Sequence, residues 1–164
     1  MGIVIDSPVL GAVDVNRDDL YTFAQGIPGF EDCRQFAVLR PEPESPFAYL
    51  QSADRPELVL LVANPFFFFP EYDFELPDAA VAELELASPE EAAVWVVITV
   101  PEKPEQATAN LLAPIVLNAR TRRGRQTILT NQGYTTKHPL FETLAAGDAH
   151  GGGGGDAGFD AQEG

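Results

Sequence analysis

Hydrophobic positions along this chain recur with a period of two or as short unbroken runs, the two patterns that strands leave in a sequence. Residues 58–63 read Leu-Val-Leu-Leu-Val-Ala and are closed by Asn64-Pro65, which predicts a buried central strand ended by a turn. After Pro70, Tyr72, Phe74 and Leu76 alternate strictly with Glu71, Asp73 and Glu75. That period predicts a second strand with an acidic outer row. Between the two lie Phe66, Phe67, Phe68 and Phe69. In an extended segment four successive rings cannot point one way, so some must face a second apolar layer or a partner, although core filling is the plainer account of an aromatic cluster.

The same patterns place the other elements. Residues 3–5 and 9–15 predict a hairpin broken at Asp6-Ser7-Pro8, with Gly11 as a bulge or bend. Short strands are predicted at residues 20–23, 36–39 and 47–51, the last with Phe47, Tyr49 and Gln51 on one side. Gln25-Gly26-Ile27-Pro28-Gly29-Phe30 is a stiff corner. Residues 79–86 predict a short helix with Val81 and Leu84 on one face, and Ser88-Pro89-Glu90-Glu91 an N-cap and one further turn. Ala-Val-Trp-Val-Val-Ile-Thr-Val at 93–100 is a second buried strand. Residues 115–118 and 126–129 read as a hairpin around a turn at Thr121-Arg122-Arg123-Gly124. About ten short strands with one or two short helices predict a mainly β fold, a small antiparallel barrel or sandwich. The expected domain is 1–143. Residues 144–164 are rich in Gly, Ala and Asp, with five successive glycines at 151–155, too little apolar surface to offset chain entropy, which predicts a disordered tail.

Charge changes this picture by being uneven. The 164 residues carry a formal −15, yet Arg120, Arg122, Arg123, Arg125 and Lys137 fall in residues 107–141, a stretch with no acid. An acidic body with one basic island repels nucleic acid and attracts basic proteins. The island lacks interleaved aromatics, so a hairpin tip paired with the protein's own acids, or a protein contact through Arg122, accounts for it better than phosphate binding. Cys33 is the single cysteine, which suits a reducing compartment and offers no disulfide framework. An acidic N-terminus with no basic start is unlike a signal peptide, and no run is long enough for a membrane span. The expected location is the cytoplasm. Catalytic material is thin: His138 and His150 have no zinc-like spacing partner, no glycine-rich phosphate loop occurs, and nothing selects a catalytic carboxylate pair. No cofactor is expected.

Gly26-Ile27-Pro28-Gly29-Phe30-Glu31, Ser45-Pro46-Phe47 with Tyr49-Leu50-Gln51-Ser52, Asn64-Pro65 through Phe68-Phe69-Pro70 and Tyr72, then Thr108-Ala109-Asn110-Leu111-Leu112-Ala113-Pro114-Ile115 with Asn118 and Thr121-Arg122 together resemble the flagellar assembly factor FliW family over residues 3–141. The resemblance implies a non-enzymatic cytoplasmic β-barrel, monomeric when free, that binds flagellin and antagonises the RNA-binding translational repressor CsrA. In such a switch accumulated flagellin occupies the factor and leaves CsrA free to repress flagellin synthesis. Electrostatics suggest Glu71, Asp73 and Glu75, with Glu102 and Glu105, for CsrA; an apolar groove at Phe66 and Phe67 suits a flagellin helix. Asn64, beside Pro65, and Asn110 and Asn118 are expected to fix loop backbones. The alternatives from the residues alone are a single-stranded RNA binder on an OB-like barrel using residues 120–125, and a small glycan hydrolase with a carboxylate pair.

Overall fold

Short strands bounded by proline and glycine can satisfy their backbone groups only by pairing on both edges, and a closed sheet achieves this with no edge left over. The computed structural model describes residues 2–130 and 132–141. Its strands are β1 (Gly2–Ser7), β2 (Gly11–Asn16), β3 (Tyr21–Thr22), β4 (Gln35–Leu39), β5 (Phe47–Ser52), β6 (Val59–Ala63), β7 (Ala92–Thr99), β8 (Thr108–Ala109), β9 (Ile115–Asn118), β10 (Arg123–Gln126) and β11 (His138–Pro139). The helices are α1 (Pro65–Phe68) and α2 (Asp78–Leu84). Seven strands close a barrel in the order β3-β4-β5-β6-β7-β9-β10 and back to β3. Its neighbours are antiparallel except at the closure, where β10 meets β3 in parallel and the Thr22 N–H donates to the Arg122 carbonyl at 2.9 Å. The far end of β7 leaves the barrel to pair with β8, which pairs with β11. The β1–β2 hairpin forms a separate sheet.

The unbroken apolar text of β6 follows from its position between two cores. Leu60 and Val62 face the barrel interior with Phe36, Leu50, Ile115 and Leu117, where Phe23 and Phe36 meet edge to face at 5.0 Å. Leu61 and Ala63 face an outer layer with Phe68, Tyr72, Val96 and Leu111. The β1–β2 hairpin lays Ile5 and Val15 over Leu20 and Ala37. Gln51 is fully buried on the outer face of β5, opposite Ala37, and donates to the Ser52 and Pro56 carbonyls at 3.0 and 2.7 Å, which closes the loop after β5.

Several expectations are corrected. Residues 71–76 keep their alternation, Tyr72 buried and Glu71, Asp73 and Glu75 exposed, but form no strand, because side chains and not a neighbouring ladder satisfy their backbone. The phenylalanine run is one helical turn and not an extended segment. The partner of β9 is β10 at 123–126, not 126–129, and the turn between them ends on Arg122 with φ +58°. The arginines enter a strand because each finds a carboxylate across the surface, as described below. Ser88 makes no side-chain cap; the Glu91 carboxylate instead accepts from the Ala87 N–H at 2.8 Å. The barrel is antiparallel at every pair but the closing one. Gly11 sits at the end of the hairpin turn, where Ser7 Oγ accepts from the Val9 and Leu10 N–H groups. The expected tail at 144–164, with His150 and the boundary at 143, lies outside the described residues.

Candidate functional site

Asn64 starts the site. Its Oδ1 accepts from the Phe66 N–H at 2.9 Å and Pro65 occupies the first helical position, the usual chemistry of a helix start. With about 100° of rotation per helical residue, the four rings fan outward in different directions. Phe66 and Phe67 stand in solvent at 43% and 60% exposure, whereas Phe68 is buried. The Phe68 ring packs against Phe47 at 5.5 Å and Phe141 at 6.3 Å, and Phe69 packs against His138 at 6.2 Å. Two large rings exposed side by side are costly in water unless they serve an interface.

The following residues are held by a strap at 132–139. The Asp73 N–H donates to the Tyr134 hydroxyl at 3.1 Å, and that hydroxyl donates to the Asp73 carbonyl at 2.7 Å. Gln132 makes the same double contact with Glu75, at 3.1 and 3.4 Å. Both carboxylates are thereby turned outward. Beneath them the Tyr72 hydroxyl donates to the Leu111 carbonyl at 2.7 Å, and burial pushes its phenol well above the ordinary range. Tyr134 lies edge-on to Tyr72 at 4.8 Å and against His138 at 6.0 Å.

His138 closes the strap by accepting from the Thr135 N–H through Nε2 at 2.9 Å. Burial lowers its pKa below the ordinary 6.5. A base whose pKa is depressed in the folded state stabilises the fold above its unfolded pKa and loses that contribution as pH falls through the folded value. The melting temperature of the wild-type chain should therefore decline on acidification from pH 7.5 through 6.5 and below, and His138→Phe should show a smaller part of that decline while starting lower at neutral pH. Parallel melting curves at stepped pH decide it; identical slopes would remove His138 from the account.

Phe66, Phe74, Leu76, Val81, Leu86 and Val94 line a groove of about 730 Å³ with Asp73, Glu75 and Asp78 among its walls. The fold thus brings Phe66, Asp73 and Glu75 to one hollow, whereas Phe67, though exposed, does not line it. Glu71 is exposed beside it without lining it. Glu102 and Glu105 lie on the loop after β7 near Pro104, which lines a different groove. Arg122 is elsewhere again, over the Tyr21 ring at 4.9 Å and 3.6 Å from Asp19. Sequence reasoning missed the wall that α2 and residues 86–94 supply: Val81 and Leu86 are only half-buried and line this hollow. It also missed Gln132 and Tyr134.

The remaining asparagines act on backbone. Asn110 Oδ1 accepts from the Ala113 N–H at 3.0 Å. Buried Asn118 donates to the Leu84 and Glu85 carbonyls at 2.8 and 3.4 Å and accepts from the Arg120 N–H at 2.9 Å, which ties the end of α2 to the β9–β10 turn. Around it the basic island is spent on the protein's own acids. Arg120 meets Glu91 at 2.8 Å, Arg123 meets Glu85 at 3.4 Å, and Arg125 donates to Glu83. The Arg120 guanidinium holds the Glu91 carboxyl below the usual carboxylate range. Among the described residues no group of three His, Cys, Asp or Glu is placed to hold a metal ion, and no helix is long and apolar enough to cross a membrane.

Comparison with known proteins adds to this geometry. A family model described as FliW protein matches residues 4–140. A flagellar assembly factor FliW of Syntrophomonas wolfei is 42% identical over 142 residues, 87% of this chain and 91% of that protein. One of Geobacillus kaustophilus is 44% identical over 136 residues, 83% of this chain and 94% of that protein. A crystal structure of the flagellar assembly factor FliW superposes with a TM-score of 0.80 at 40% identity, covering 85% of this chain and 97% of that one.

Proposed function

Since this chain belongs to the FliW family of flagellar assembly factors, we propose that it works without enzymatic activity as a partner switch in the cytoplasm, binding flagellin and antagonising the translational repressor CsrA so that flagellin synthesis follows export. The observation that carries this reading is the groove in which exposed Phe66 stands beside Asp73 and Glu75. Its apolar floor suits the buried face of an amphipathic flagellin helix, with Phe66 as the anchor in the groove and Phe67 exposed next to it in the chain. Its acidic wall suits a basic RNA-binding protein such as CsrA, drawn in by the −15 charge of the chain. Because the two kinds of group share one hollow, a seated flagellin segment would obstruct CsrA, which gives the switch a physical basis. Glu102, Glu105 and Arg122 lie away from this groove and have no part in it. An RNA-binding reading is disfavoured because Arg120, Arg122, Arg123 and Arg125 each face a carboxylate. The hydrolase reading has no observation in its favour.

Calorimetric titration of the free, monomeric chain with CsrA and with flagellin of the same organism, at two salt concentrations, tests the proposal. Phe66→Ser with Phe67→Ser should weaken flagellin by at least about tenfold, the scale of losing interface anchors. Reversing Glu71, Asp73 and Glu75 to Lys should weaken CsrA mainly at low salt. Prior saturation with flagellin should lower CsrA affinity. Binding to neither partner would sink the proposal, and so would flagellin affinity that is indifferent to both phenylalanines.

A further inference from the structure

On the other side of the phenylalanine turn lies a second apolar hollow that shares no lining residue with the first. Val9 and Leu10 at the β1–β2 turn, Phe47 and Tyr49 on β5, Val100 after β7 and Phe141 are among the residues that enclose about 590 Å³. Phe47 and Phe141 are held in place from behind by the buried Phe68 ring. Val9, Leu10 and Val100 remain 49%, 36% and 49% exposed. Aliphatic side chains from two segments far apart in the chain thus converge on water at one place, the arrangement of a contact surface and not of scattered surface residues.

Charge at the rim identifies the occupant. Glu42 lines the hollow, Glu44 follows it on the same loop, and Glu105 directly follows the lining residue Pro104, with Glu102 two residues before it. Lys103 lies on that loop too. Arg40 lies over the Trp95 ring at 5.6 Å and donates to the Pro43 carbonyl at 2.6 Å, which commits its guanidinium elsewhere. The chain's own continuation begins here, after Phe141, but residues 142–164 carry five acids and neither Lys nor Arg. Like charge works against that segment as the occupant.

We propose that this hollow is a second docking site, separate from the Phe66 groove, for an amphipathic protein segment with aliphatic side chains on one face and Lys or Arg at its borders. The aliphatic face covers Val9, Leu10 and Val100, and the basic border meets Glu42 and Glu105. The proposal does not depend on which groove receives flagellin or CsrA.

A fluorescein-labelled helical peptide of about 15 residues, with Leu at i, i+3, i+4 and i+7 flanked by Lys, titrated with the full chain by anisotropy, provides the test. Saturable binding is expected, lost in a scrambled peptide of the same composition and in a Glu-for-Lys peptide. Leu10→Ser with Val100→Ser, both solvent-facing and so compatible with folding, should lower the affinity by about tenfold. Glu42→Lys with Glu105→Lys should weaken binding and flatten its salt dependence. Phe66→Ser, in the other groove, should change it by less than about twofold. No saturable binding, equal binding of the scrambled peptide, or loss of binding through Phe66→Ser alone would each overturn the assignment. So would a gain of about tenfold from Leu144→Ser with Phe159→Ser, which would identify the chain's own C-terminal segment as the occupant.

Discussion

Gly26→Val should lower the thermal midpoint of this chain by about 10 °C or more, while Gly29→Ala, three residues away in the same corner, should cost only a third of that. Both glycines have positive φ, +66° and +91°, so any L-residue at either site loses about 1–2 kcal/mol to backbone strain, and a β-branched one more. They differ in the space around them. A Cβ on Gly26 would stand 2.6 Å from Glu31 Cα and 2.7 Å from its carbonyl oxygen, whereas a Cβ on Gly29 meets nothing within 4 Å. The Glu31 atoms are backbone and cannot swing aside. They are fixed by the contacts of the corner itself, the Phe30 N–H to the Ile27 carbonyl at 2.6 Å and the Cys33 N–H to the Phe30 carbonyl at 3.0 Å, which seat Ile27 and Cys33 in the barrel core. Overpacking against a rigid neighbour adds about 1–3 kcal/mol. The combined loss of about 3 kcal/mol or more corresponds to roughly 10 °C for a domain of this size. Thermal melts of both variants decide the matter; equal losses would show that φ alone governs the corner.

Asn118→Asp should be the most damaging isosteric change available near the β9–β10 turn, and its cost should depend on pH. The Asn118 amide donates to the Leu84 and Glu85 carbonyls from a position 1% exposed. An aspartate there presents an oxygen to two carbonyl oxygens. It must either bury an unpaired charge or stay protonated, and holding a carboxyl neutral at pH 7 against its ordinary value near 3.9 costs about 4 kcal/mol. Because the folded-state pKa of the new group lies above its unfolded value, the variant approaches wild-type stability below about pH 4 and falls away from it as pH rises. Urea unfolding at pH 4 and at pH 7 measures the difference directly. A variant equally stable relative to wild type at both pH values would mean that the turn opens to let water reach the carboxylate. The neighbouring contacts of Thr121 Oγ1 and Arg120 with the same carbonyls, at 3.0 and 2.6 Å, keep the end of α2 partly tied in either case.

These two sites also separate what the sequence shows from what it hides. The corner at 25–30 was legible because glycine on both sides of a proline has few other uses. The weight carried by Asn118 was not, since nothing in its local text says that the end of a helix 34 residues away arrives beside it. The basic island shows the same limit. A run of arginines in an acid-free stretch looks like a free cationic patch, until Glu83, Glu85 and Glu91 reach it from 29 to 42 positions earlier in the chain.

The sequence by itself determined the mainly β architecture, the buried run of β6, the acidic body and the family to which the chain belongs. Strand periods and motif order are local, and local order survives without knowledge of the fold. The tertiary structure alone decided that residues 71–76 are not a strand, because a period of two reports which face is wet and says nothing of what satisfies the backbone. Tyr134 and Gln132 do so across 61 and 57 positions. It also decided which phenylalanines reach solvent, since a single capped helical turn after Asn64 fans out rings that an extended segment would have alternated. And it decided that Phe66, Asp73 and Glu75 share a groove while Glu102, Glu105 and Arg122 do not, because closure of the barrel sets distances between segments that no spacing along the chain encodes.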